Sequence, residues 1–135
     1  MKMRLLLLLL VGGCGSPTEP VHATLQFFGQ LLFGIPTLET RAAPISGGID
    51  VSGVFQTPNS GYTLFGELRA HDDHQLVLHI NAYNTKPGFP FASQNYYVGK
   101  IRNLPTGSYD LLVIHELHYE SIVTTQAFHG TLDVP

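Results

Sequence analysis

Four histidines fall in two acid-flanked pairs. His71 and His74 bracket Asp72 and Asp73, while His115 and His118 bracket Glu116, with Glu120 close by. Imidazole nitrogen and carboxylate oxygen together suit zinc, copper or nickel, so these four histidines are the candidate ligands of a loop-built Zn or Cu site. Residues three apart on a strand face opposite ways, so His115 and His118 meet at one ion only where the strand ends between them. His22, His79 and His129 stand alone and read as ordinary satisfied or solvated side chains. The second chemical group is aromatic: Tyr83, Phe89, Phe91, Tyr96 and Tyr97 crowd a stretch stiffened by Pro87 and Pro90. Aromatic rings are enriched at protein interfaces and stack on sugars. This stretch is therefore the candidate partner surface, for a protein or a carbohydrate, although the same rings also suit a buried core. Exposed strand edges offer a further route, recruitment of a partner's strand.

Other chemistries lack their residues. There is no Gly-x-Ser-x-Gly elbow, no phosphate-binding Gly-x-x-x-x-Gly-Lys, no His-Glu-x-x-His and no Cys-x-x-Cys. Nothing places a nucleophile beside a base, so the chain is not expected to be an enzyme. A net charge of −3 argues against a nucleic-acid partner, which calls for a basic surface. One cysteine cannot make an internal disulfide.

The elements that must carry these residues read as strands. The 135 residues allow one domain, and 44% hydrophobic with 13% charged residues is globular rather than disordered. From Ile49 onward, short β-like runs alternate with turn signals, a spacing that predicts a sandwich or barrel. The runs are 49–56, 62–70, 75–83, 96–102, 109–116 and 127–134. Tyr62, Leu64, Gly66, Leu68 and Ala70 form one inward row; Leu76, Leu78, Ile80 and Ala82 form another across the turn at 71–74. That pair predicts an antiparallel hairpin. The run 109–116, YDLLVIHE, is apolar on both faces and predicts a central strand. Between Val21 and Pro36, Leu25, Phe28, Leu32 and Ile35 recur at helical spacing, yet Gly29 and Gly34 interrupt them. The alternative for that segment is an apolar strand or hairpin laid on an edge of the domain. Pro44 and the glycine pair at 47–48 place the expected domain boundary near Ile45.

Leu104-Pro105-Thr106-Gly107-Ser108-Tyr109 enters the central run. Here the chain resembles fibronectin type III and other immunoglobulin-like domains, in which a tyrosine opening strand F bonds backbone upstream, the tyrosine corner. The resemblance implies that Pro105 and Gly107 set the turn and that Tyr109 is the corner residue. It implies an immunoglobulin-like antiparallel β-sandwich of six to seven strands over 45–135. In that frame 49–56 is strand A, 62–70 B, 75–83 C, 96–102 E, 109–116 F and 127–134 G. The B–C turn and the F–G loop then share one end, with the start of A. No tryptophan stands on the C run and no cysteine pair bridges the sheets, two departures from the antibody pattern.

The first residues supply an address. Lys2 and Arg4 precede an unbroken leucine run, and the apolar stretch to Gly13 is far shorter than the roughly 20 residues of a spanning helix. Val11-Gly12-Gly13-Cys14 resembles the lipobox of bacterial lipoproteins. The resemblance implies cleavage after residue 13, diacylglycerol on the Cys14 thiol and an acylated amino terminus. Two or more chains make a firm membrane anchor. Gly15, in place of an aspartate, implies outer-membrane export. Residues 14–44 then form a lipidated tether containing the ambiguous apolar segment. The function expected is a non-catalytic envelope binding or scaffold module. The alternatives are a periplasmic or surface metal-binding domain, and less favoured, a protease inhibitor or a hydrolase.

Overall fold

The computed structural model describes residues 22–72 and 74–135, so Cys14, the lipobox and the signal segment lie outside the described residues. Within them the chain is all-β, with strands β1 (Thr24–Leu32), β2 (Arg41–Ile45), β3 (Gly48–Thr57), β4 (Tyr62–Asp72), β5 (Gln75–Asn84), β6 (Ser93–Arg102), β7 (Gly107–His118) and β8 (Ile122–Val134). Two four-stranded sheets form, ordered β1-β6-β3-β2 and β4-β5-β7-β8. They pack face to face, β1 against β4 along one side and β2 against β8 along the other. No helix among the described residues is long and apolar enough to cross a membrane.

Period-two patterning drives the arrangement. Ile49 and Val51 from β3, Tyr97 and Ile101 from β6, Leu78 and Ile80 from β5, and Leu111 and Val113 from β7 are all fully buried between the sheets. Removing each such aliphatic side chain from water contributes about 1.5–3 kcal/mol. The central position of β7, between β5 and β8, accounts for its apolar residues on both faces.

Within the segment 21–36, Thr24–Leu32 is strand, not helix. β1 pairs antiparallel with β6 from Thr24↔Arg102 to Leu32↔Gln94. Leu25, Phe27 and Leu31 point inward at a two-residue period, and Leu25 and Phe27 pack on the core. The helical spacing mixes this inward set with Phe28, which faces solvent. Gly29, which weakens a helix, suits the sheet: a Cβ there would lie 3.2 Å from the Leu64 Cβ in the facing sheet. The boundary expected near Ile45 therefore falls inside the folded unit, with β1 and β2 as strands of the first sheet.

The strand labels of the immunoglobulin frame do not carry over. In that fold B and C lie in opposite sheets. Here β4 and β5, the runs labelled B and C, form one hairpin within one sheet, in register from Tyr62↔Asn84 to Ala70↔Leu76 and shifted by one residue at Asp72↔Gln75. Moreover β5 and β7, labelled C and F, pair parallel, Gln75 beside Asp110 and Tyr83 beside His118. Eight strands are described rather than six or seven. The chain is an all-β protein of two packed four-stranded sheets.

The parallel pair defines two ends. At the near end β1 begins, β8 finishes, and the β4–β5 turn meets the start of β7. At the far end lie the segments 33–40, 58–61, 85–92 and 119–121.

Candidate functional site

The four candidate ligands do not converge. His71 and His74 belong to the β4–β5 turn at the near end, whereas β7 carries His115 and His118 to the far end. The eight residues separating Gln75 from Tyr83 along β5 span about 26 Å at 3.3 Å per residue. β7 also continues unbroken through His118. His115 therefore faces the interior and His118 the outer surface, the outcome strand alternation dictates. No group of three or more His, Cys, Asp or Glu suited to a metal occurs among the described residues.

His74, His79, His115 and His118 have other partners. The backbone N–H of His74 donates to Asp72 Oδ1 at 2.8 Å, and its Nδ1 lies 3.1 Å from the Ser108 carbonyl, tying the turn to β7. On the outer face of the second sheet, Glu116 sits between two imidazoles, 3.8 Å from His79 Nδ1 and 3.5 Å from His118 Nε2. His118 also contacts Asn81 Oδ1 at 3.3 Å and stacks on Tyr83 at 4.2 Å. Phe65 meets Tyr83 edge-on. His79 joins this group only through the β5–β7 pairing, a non-local contact with no motif in the sequence.

His115 is the interior histidine. Its ring lies parallel to Phe55 at 4.4 Å, and its Nε2 is 2.8 Å from the Tyr97 hydroxyl, which is 2.7 Å from Thr40 Oγ1. The single phenolic proton serves one neighbour only, so the imidazole tautomer sets the direction of the Thr40–Tyr97–His115 chain. Burial lowers His115 to about 4 and raises Tyr97 to about 12. Both groups are neutral at physiological pH, and the chain links the two sheets without charge. Gly53 leaves room for it: a Cβ there would lie 2.6 Å from the Tyr97 hydroxyl.

The five aromatics do not form one surface. Tyr97 is fully buried and belongs to the core; its inward row on β6 alternates with Tyr96, which is half-buried on the outer face of the first sheet. Tyr83 is exposed on the outer face of the second sheet. Phe89 and Phe91 stand out at the far end, 62% and 53% exposed, their rings parallel at 5.7 Å. The loop that presents them is clamped. The Phe89 N–H donates to Ser60 Oγ at 2.7 Å, and the N–H groups of Thr85 and Lys86 donate to the Gly61 carbonyl. Gly88 lies so close to this turn that a Cβ on it would meet the Gly61 nitrogen at 2.2 Å.

Sequence reasoning did not see how many apolar residues share that end. Phe33, Leu38, Tyr119, Ile122 and Val123 are exposed there, alongside Phe89 and Phe91, with Tyr83 and Phe65 on the adjoining face. Phe28 is the one large exposed hydrophobic residue along the strands away from it. At the near end, the Tyr109 hydroxyl donates to the Pro105 carbonyl at 2.6 Å and fixes the entry to β7.

The class these observations define is an all-β sandwich with an apolar far end and a buried neutral polar chain. No family model, curated protein or solved structure matches the chain.

Proposed function

We propose that the chain is a non-catalytic binding module of a bacterial envelope, anchored through Cys14 and engaging a protein partner with its far end. The observation carrying the reading is the polarity of the molecule. The first strand begins at Thr24 on the near end, while Phe33, Leu38, Phe89, Phe91, Tyr119 and Ile122 lie at the opposite one. A soluble monomer rarely exposes a contiguous apolar patch without a use for it. The mixture of aliphatic residues with phenylalanine, and the absence of tryptophan, favours a protein surface over a sugar. The clamp on 85–91 holds its rings in place before binding, which reduces the ordering cost of association. Kinship with immunoglobulin-like sandwiches rests on the Tyr109–Pro105 corner alone.

Crosslinking in intact envelope tests the reading. A photoreactive residue in place of Phe33 should capture a defined protein, and capture should fail when Phe89→Ser and Phe91→Ser are introduced together. Phe28→Ser, which removes an exposed ring elsewhere, should leave capture unchanged. Equal capture by all three chains would dismiss the far end as the partner surface. Mass spectrometry of the protein made in its own cell tests the anchor: the expected species begins at an acylated Cys14.

A further inference from the structure

We propose that the far half of β8 is a strand-pairing edge that joins a second copy of this chain, antiparallel and centred on Thr124. The proposal uses a backbone edge rather than the loop rings, and it shares only Ile122 with the residues named in the reading above.

Four strands form sheet edges: β1, β2, β4 and β8. An edge strand carries unpaired N–H and C=O groups, and proteins blunt such edges with charge, proline, shortness or cover. Three of these edges are protected. β2 has five residues and includes Arg41 and Pro44. β4 bears Glu67 and Arg69, and it lies against β1, which covers it and is covered in turn.

β2 lies against β8 and the β7–β8 register shifts just beyond Gln126, but between Ile122 and Gln126 the β8 edge carries no charge and no proline. Those five residues, which alternate between the two faces of the strand, are all exposed. From Ser121 to Phe128 the sequence is SIVTTQAF, free of charge, proline and glycine and rich in β-branched residues. Among the described residues β8 pairs with β7 alone. An open edge of this composition would recruit strand after strand. Pairing with itself about a twofold axis closes it, because an isologous contact consumes the same edge on both copies.

The register follows from symmetry. Antiparallel pairing centred on Thr124 matches the bare segment wholly with itself. Ile122 of each copy then faces Gln126 of the other, Val123 faces Thr125, and the two Thr124 residues face each other. No like charges oppose, and Thr–Thr is a favourable cross-strand pair. The two second sheets become one continuous eight-stranded sheet, and the copies run in opposite directions.

The test is the mass of the detergent-solubilised full chain by light scattering. Twice the protomer mass is expected for the wild type and the single protomer mass for Thr124→Lys, which sets two ammonium groups against each other. Thr124→Cys preserves the edge and brings the two α-carbons to about 4.5–5.5 Å, within disulfide reach. It should give a covalent dimer on non-reducing gels, where Glu67→Cys on the β4 edge gives none. A monomeric wild type, a dimer that survives Thr124→Lys, or a Thr124→Cys protein that does not crosslink would each overturn the proposal. Capture of a different polypeptide on a β8 that stays monomeric would overturn it as well.

Discussion

Acid should weaken this protein through one residue, His115. An ordinary imidazole takes up a proton near 6.5, and the unfolded chain does so there, whereas burial holds the folded group down to about 4. Between those two values the unfolded state binds more protons than the folded one. Stability is therefore at its full level above pH 6.5 and falls as pH is lowered toward 4. At 1.36 kcal/mol per pH unit the whole interval amounts to about 3 kcal/mol. The ring is not fully enclosed, which lowers the expected loss to about 1–3 kcal/mol. For a domain with 5–15 kcal/mol in hand, that is a large fraction. The perturbation is His115→Gln, whose amide still reaches the Tyr97 hydroxyl but cannot titrate. Denaturant unfolding of both proteins at pH 7, 6, 5 and 4 gives the assay. Every other titratable group is common to the two chains, so the difference between them isolates His115. The variant loses the stack on Phe55 and starts less stable at pH 7, but the gap should narrow as pH falls. Two curves that stay parallel from pH 6.5 to 4 would refute the assignment. The alkaline limb has the opposite sign. Tyr97, raised to about 12, stays neutral while an unfolded tyrosine ionises near 10, so stability should decline as pH climbs through that window. Tyr97→Phe should reduce this decline without abolishing it, because burial also raises Tyr62.

Tyr109→Phe deletes the hydroxyl that reaches the Pro105 carbonyl while keeping the buried ring, and should cost about 1 kcal/mol in equilibrium unfolding. Gly53→Ala pushes a methyl group into the Tyr97 hydroxyl and Thr40 Oγ1; a loss of about 1–3 kcal/mol should accompany a smaller acid dependence than wild type, since His115 loses its position. Gly88→Ala drives a Cβ against the Gly61 nitrogen, and hydrogen exchange should show the amides of Thr85, Lys86 and Phe89 losing protection while the β5–β7 amides keep theirs. Phe89→Ser with Phe91→Ser removes rings that are mostly in water, so the melting midpoint should move by no more than surface substitutions usually cause, about 0.5 kcal/mol in equivalent stability.

Local period was legible and long-range order was not. The β4–β5 hairpin announces itself because both inward rows, Leu64 to Ala70 and Leu76 to Ala82, alternate cleanly across a short polar turn. β7 shows its central place through Leu112 and Ile114 on the face that an edge strand would leave polar. β1 misled because the outward-facing Phe28 falls three residues after Leu25, so a single exposed ring completes a helical stripe. Tyr97 belongs to the core and Tyr96 to the surface for the same reason that any neighbouring pair on a strand divides, and the alternation of Asn95, Tyr97 and Gly99 with Tyr96 and Val98 carries that division. The approach of His79 to Glu116 and of Tyr97 to His115 depends on which strands lie side by side, and no local pattern encodes that.

Strand parity connects the separated histidine pairs with the two-ended molecule. A chain leaving a sheet, crossing to the facing sheet and returning reverses direction with each strand it lays down. Two strands on the excursion bring it back antiparallel to the strand it left, as in an immunoglobulin sandwich, where D and E intervene between C and F. One strand brings it back parallel. Here only 93–102 separates β5 from β7, and β6 inserts between β1 and β3 of the opposite sheet. The pair β5–β7 must then be parallel, and it is. Only one β-like run, 96–102, stands between 75–83 and 109–116, so this parity was present in the sequence once a missing strand D was taken at face value. Parallel pairing carries the β4–β5 turn and the β7–β8 turn to opposite ends, which separates His74 from His118. The same parity sends the β7–β8 hairpin and the 85–91 loop together to the end opposite Thr24, so the residues with least reason to be in water gather where the chain's entry point is farthest away.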